Sequence, residues 1–71
     1  MGEPQLINSL KVERARRDLT QEDLAALVGV SRKTINTIER GKFIPSTWLA
    51  LKLARALGMK VEDLFQLEEE S

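Results

Sequence analysis

The chain has 71 residues, 42% of them hydrophobic and 31% charged, with 11 basic and 11 acidic side chains. That length holds one domain, which would bury only about 60% of the surface its unfolded chain exposes, so modest stability helped by self-association is expected. Neither cysteine nor histidine occurs, which excludes disulfides, thiolate chemistry and the usual zinc or iron ligand sets, and no metal or cofactor is expected.

The start of the chain, Met1 to Gln5, lacks the basic-then-apolar pattern of a signal peptide. Leu6 stands where a myristoylation signal needs Ser or Thr. No apolar run approaches the roughly 20 residues that span a bilayer. A cytoplasmic location without membrane association follows as the expectation. Strand signals are nearly absent, since no stretch alternates apolar and polar residues and no Asn-Gly or Asp-Gly turn separates β-branched runs.

Helix signals recur every 10 to 15 residues. The first helix is predicted from about Ser9 to Asp18, with Leu10 and Arg14 four apart on one face and Leu19 closing it onto the core. Thr20 is a good N-cap for the second helix, and Asp23 approximates a capping box. Leu24, Ala25 and Val28 form its inward face, Gly29 ends it, and Val30 follows as a buried plug. Ser31 caps the third helix, in which Ile35 and Ile38 face inward and Arg32, Lys33, Asn36, Thr37 and Arg40 face outward. Gly41 stops that helix.

A loop through Lys42, Phe43, Ile44 and Pro45 leads to Ser46, the cap of a fourth helix with Leu49, Ala50, Leu53, Ala54 and Leu57 on one side. Gly58 ends it. The fifth helix is short, about Val61 to Gln66, anchored by Leu64 and Phe65 and poorly capped by Lys60. Residues 68–71 read as a frayed acidic tail. The expectation is an all-α chain of five helices around one core, in a single domain over 1–71.

Charge is sorted along this chain even though it sums to zero. Residues 31 to 60 carry seven Lys or Arg against one acid, and residues 61 to 71 carry five acids and no base. The basic middle contains two helices of about eight residues joined by a turn too short to let them lie antiparallel, so they must cross steeply. A helix with its side chains is about 10 to 12 Å across and the DNA major groove about 12 Å wide. Arg32 or Lys33 can reach guanine O6 and N7, Asn36 can pair with adenine N6 and N7, and the Thr37 methyl can touch a thymine methyl. A polar outer face of an ordinary helix would explain any one of these residues, and the four together poorly.

The run TQEDLAALVGVSRKTINTIERGKFIPSTWLALKLARALGMKVEDLF resembles the Cro/C1-type helix-turn-helix domains of the xenobiotic-response-element family. The resemblance covers about residues 8 to 67. It rests on Thr-Gln at the start of helix two, Leu-Ala, Gly-Val-Ser in the turn, Thr-Ile with Ile-Glu, and Gly-Lys with Pro-Ser. It implies a five-helix lambda-repressor-like DNA-binding domain whose helix-turn-helix is formed by helices two and three. By the same comparison Arg32, Lys33, Asn36 and Thr37 hold base-reading positions, while Thr34, Arg40, Lys42 and Phe43 lie toward the DNA backbone. Gln21 is implied to bind a backbone phosphate or to steady the first reading residue, and Arg14 and Glu39 to form a partly buried ion pair between helices one and three.

Three residues depart from the family pattern. Lys33 stands where many relatives have Gln, so operator preference does not carry over. Glu13 replaces an apolar residue and is expected to pair at the surface with Arg16 or Arg17. Trp48 replaces a polar residue; with Leu51 and Phe65 it forms a candidate dimer interface, or else it caps the core, and Leu27 is a further exposed apolar candidate. The function implied is a sequence-specific double-stranded DNA-binding transcriptional regulator, a repressor acting as a homodimer on an inverted-repeat operator. The alternative is the antitoxin of a toxin pair, and an enzyme is disfavoured because Glu22 and Asp23 are explained by helix capping.

Overall fold

A computed structural model describes residues 4–68. In chain order its elements are β1 (Leu6–Asn8), α1 (Leu10–Arg16), α2 (Gln21–Val28), α3 (Arg32–Glu39), α4 (Thr47–Ala56), α5 (Val61–Leu64) and β2 (Phe65–Leu67). The five helices appear in the order predicted. Their ends are set by the side chains that the sequence offers. Thr20 Oγ1 accepts from the Asp23 amide at 3.0 Å while the Asp23 carboxylate accepts from the Thr20 amide at 2.9 Å, a complete capping box. Ser31 and Ser46 accept from the amides of Thr34 and Leu49 in the same manner, and Lys60 makes no side-chain cap.

Helix α2 stops at Gly29, whose φ of 76° lies in the left-handed region. A Cβ there would meet only the Lys52 Nζ, at 3.9 Å, so backbone conformation and not crowding demands the glycine. The same left-handed turn closes α1 at Asp18, φ 55°, without a glycine. Arg17 and Asp18 are turn, so the regular helix ends two residues before the predicted limit. The Leu19 amide donates back to the Arg14 carbonyl at 3.2 Å, which brings Leu19 down against the core.

The buried core joins Leu10 of α1, Leu24, Ala25 and Val28 of α2, Ile35 and Ile38 of α3, Leu49, Leu53 and Ala54 of α4, then Leu57, Leu64 and Phe65. Val30 is only half-buried and packs against its edge. Because α3 contributes only two inward residues, at i and i+3, the rest of its circumference is free of the core.

The domain is mostly helical, as expected, with one small sheet added: β1 and β2 pair antiparallel, with Leu6 opposite Leu67 and Asn8 opposite Phe65. Two expectations need correction. The last helix accordingly ends at Leu64, and Phe65 and Gln66 are extended. Three-residue strands are too short to show periodicity, and this pair forms because the core brings residues 6–8 and 65–67 together. Pairing also turns Phe65 inward. Only 9% exposed, it belongs to the core and not to an outer surface with Trp48 and Leu51. The Glu68 amide donates to the Gln5 carbonyl at 2.7 Å; the rest of the expected acidic tail lies outside the described residues.

Candidate nucleic-acid interface

Helix α3 is held from three sides. Its C-terminal turn is gripped by Asn8, whose Nδ2 donates to the Ile38 carbonyl at 3.0 Å while its Oδ1 accepts from the Leu10 amide at 3.0 Å. One side chain thus satisfies the first amide of α1 and ties that helix to α3. Sequence reasoning assigned Asn8 no role, although an Asn side chain readily accepts from the amide two residues on, here across Ser9, whose own side chain makes no cap. Gly41, at φ 72°, then closes α3, with the Lys42 amide donating to the Thr37 carbonyl.

The second hold is the pair Arg14 and Glu39. Arg14 Nε donates to Glu39 Oε2 at 2.7 Å and its Nη2 donates to Oε1 at 3.2 Å, a two-pronged contact between side chains only 14% and 3% exposed. The third guanidinium nitrogen donates to the Leu19 carbonyl at 2.7 Å. The Glu39 carboxylate raises the Arg14 pKa above its ordinary value, so the guanidinium stays charged across the working pH range. The pair therefore fixes α3 against α1 with both ions satisfied.

Gln21, the first residue of α2, makes the third hold. Its Nε2 donates to Glu39 Oε1 at 3.1 Å, and its Oε1 accepts from Asn36 Nδ2 at 3.5 Å. The side chain meant for a phosphate or a reading residue is thus engaged with Asn36 and Glu39. Among the described residues no buried side-chain nitrogen or oxygen lacks a partner.

On the outer face of α3, next to these holds, Arg32, Lys33 and Asn36 line one open hollow, and Arg32 also borders a second with Arg14, Thr20, Gln21 and Glu22. Arg32 and Lys33 are exposed, and Asn36 and Thr37 are half-buried. The Thr37 hydroxyl folds back onto its own helix, 2.9 Å from both the Lys33 and Thr34 carbonyls, so its proton is spent internally and its methyl and its oxygen lone pairs are left for an external contact. The Thr34 hydroxyl lies 3.0 Å from that of Ser31, and this pair keeps one O–H free to donate outward. Arg40, Lys42 and Phe43 continue the surface past the end of α3, all exposed.

Two short helices joined by a tight turn, with a cationic outer face on the second, make the architecture of a helix-turn-helix, and comparison with known proteins decides its lineage. The HTH_3 helix-turn-helix family model matches residues 10–64. The chain belongs to this family. Its members are Cro/C1-type transcriptional regulators, DNA-binding proteins without enzymatic activity. An uncharacterized HTH-type transcriptional regulator of Methanocaldococcus jannaschii is 54% identical over 63 residues, 89% of this chain and 96% of the relative. Another, YgzD of Bacillus subtilis, is 50% identical over 64 residues, 90% of this chain and 97% of that protein. Among solved structures, the restriction-modification controller protein C.AhdI from Aeromonas hydrophila superposes with a TM-score of 0.73 at 37% identity, covering 76% of this chain and 82% of that one.

Away from this face, α4 carries the other distinctive residue. Trp48 is 66% exposed and does not cap the core; the Lys52 ammonium sits 4.4 Å from its ring centroid, one helical turn on. Leu51 and Leu27 are exposed as well, and a hollow between Leu27, Lys52, Arg55 and Ala56 joins α2 to α4. Glu13 pairs with both Arg16, at 3.2 Å, and Arg17, at 2.8 Å. No helix among the described residues is long and apolar enough to cross a membrane.

Proposed function

We propose that the chain is a sequence-specific repressor that places α3 in the major groove, with Arg32, Lys33, Asn36 and Thr37 against base edges. Gln21, Thr34, Arg40, Lys42 and Phe43 flank them along the phosphates. The observation that carries this reading is that Arg32, Lys33 and Asn36 border a single open hollow on a helix whose other contacts are locked by Asn8, Arg14 and Gln21. Rigid presentation of donors and acceptors is what base discrimination requires.

The acting unit is a homodimer on an inverted-repeat operator, joined through the apolar patch of Trp48, Leu51 and Leu27. A twofold pair sets its reading helices about 34 Å apart, one turn of DNA, and occupancy of such a site blocks polymerase. Selection of duplexes from a random pool is expected to return one inverted repeat with that spacing. Arg32→Ala and Asn36→Ala should each weaken specific binding by about 1 to 3 kcal/mol per half-site and leave unrelated duplexes bound as before. Trp48→Glu combined with Leu51→Glu should give a folded monomer by sedimentation that loses the operator. Equal affinity of the wild type for every duplex would sink the base-reading assignment.

A further inference from the structure

The hydrogen bonds that run from Arg14 to Asn36 have a direction, and it is imposed by chemistry. A guanidinium only donates and a carboxylate only accepts. Glu39, held by Arg14, therefore takes the NH2 end of the Gln21 amide, at 3.1 Å. That turns the Gln21 carbonyl toward Asn36, 3.5 Å away, where it meets Nδ2. Reversing the Asn36 amide would set two carbonyl oxygens against each other.

We infer that this polarity fixes which polar groups Asn36 has left for DNA, and so makes Gln21 and Glu39 positioning residues that select adenine over guanine at the base Asn36 meets. The inference rests on the reading of base edges proposed above. With one N–H engaged by Gln21, Asn36 keeps its Oδ1 acceptor and a second N–H donor, the complement of adenine N6–H and N7. With the relay reversed, Oδ1 would be engaged instead and the NH2 group freed, a pair of donors suited to guanine O6 and N7. Asn36 by itself can serve either base; the carboxylate two links away decides.

The test is a change of polarity at the middle link. The ammonium introduced by Gln21→Lys only donates, so it satisfies Glu39 and also donates to Asn36, pulling Oδ1 inward. Gln21→Ala removes the link altogether. Gln21 lies at the surface end of α2 and outside the core, and thermal unfolding checks that each variant is folded. The readout is the ratio of affinities for operators carrying adenine or guanine at the position read by Asn36. A ratio is immune to the uniform gain in phosphate attraction that an added lysine brings.

The wild type is expected to favour adenine on the order of tenfold or more. Gln21→Ala should bring the ratio close to one, and Gln21→Lys should invert it. A wild-type preference for guanine overturns the inference. So does an adenine preference that Asn36→Ala abolishes but both Gln21 variants keep, which would leave base reading by Asn36 standing without the relay. An adenine preference that survives Asn36→Ala removes Asn36 from base reading and overturns both.

Discussion

The contribution of Glu39 is out of proportion to its exposure. It is the shared acceptor of Arg14 and Gln21, and its side chain is only 3% exposed. Removing Arg14 alone strands a carboxylate in a poorly solvated place, whereas removing both ions strands no charge and costs only the bonds to the neutral Leu19 carbonyl and Gln21 amide. Arg14→Leu is therefore expected to cost about 3 kcal/mol in urea unfolding, and the double variant Arg14→Leu with Glu39→Leu to recover most of that loss. Equal destabilisation by the single and the double would mean that packing, and not charge pairing, dominates there. Thr37 gives a second residue-level expectation. Its hydroxyl proton is spent on the Lys33 and Thr34 carbonyls, so it has no donor for a base edge, and the proposed contact is made by the methyl. Thr37→Val should hold operator affinity, and Thr37→Ser should lose about 0.8 kcal/mol, the worth of one buried methyl; the reverse order in a binding titration would assign the contact to the hydroxyl.

Helix ends carry much of what positions these residues, and they respond to pH. Backbone and side-chain hydrogen bonds from Thr20 lower the Asp23 pKa below its ordinary 3.8. The Glu13 carboxyl is held below its ordinary 4.5, chiefly by a hydrogen bond from Arg17 and also by the charge of Arg16. A carboxyl whose pKa is lowered by folding stabilises the native state fully above the ordinary value, and that stabilisation drains away as pH falls through the lowered one. Unfolding free energy should accordingly decline below about pH 4, and Asp23→Asn should make the decline shallower. Thr20→Ala is expected to cost about 1 kcal/mol at neutral pH. At the other end of α1, Asp18 occupies the left-handed turn that α2 gives to Gly29, so Asp18→Gly should raise stability by about 0.5 to 1 kcal/mol in the same assay. These elements also show what sequence can and cannot disclose. Thr20, Ser31 and Ser46 announce their helices because a cap is a local interaction between a side chain and an amide three residues on. Strands β1 and β2 announce nothing, since each exists only through the other, some sixty residues away. The inward turn of Phe65 follows from that pairing, and so was illegible for the same reason. The Arg14 and Glu39 pair was legible through family resemblance alone, whereas the direction of the relay through Gln21 needed distances.

At the scale of the whole molecule, a net charge of zero coexists with a basic surface on and after α3 because acids and bases are segregated along the chain. In the proposed complex the cations divide into Arg32 and Lys33, directed at bases, and Arg40 and Lys42, directed at phosphates. Each phosphate neutralised releases counterions and contributes about −0.9 to the slope of log affinity against log salt. Two copies of Arg40 and Lys42 in a dimer neutralise four phosphates, a slope near −3.6 from these side chains. Lys42→Ala should then flatten the slope by about 1.8, because one substitution removes a contact from each protomer, against about 0.9 for a monomer on a single half-site. Affinities for operator and unrelated duplex should fall together, since a phosphate contact carries no base information. The size of that slope change therefore counts the protomers on the operator without reference to the apolar patch on α4. A change near 0.9 on the full inverted repeat would defeat the dimeric assignment even if Trp48 and Leu51 prove to be buried by some other contact.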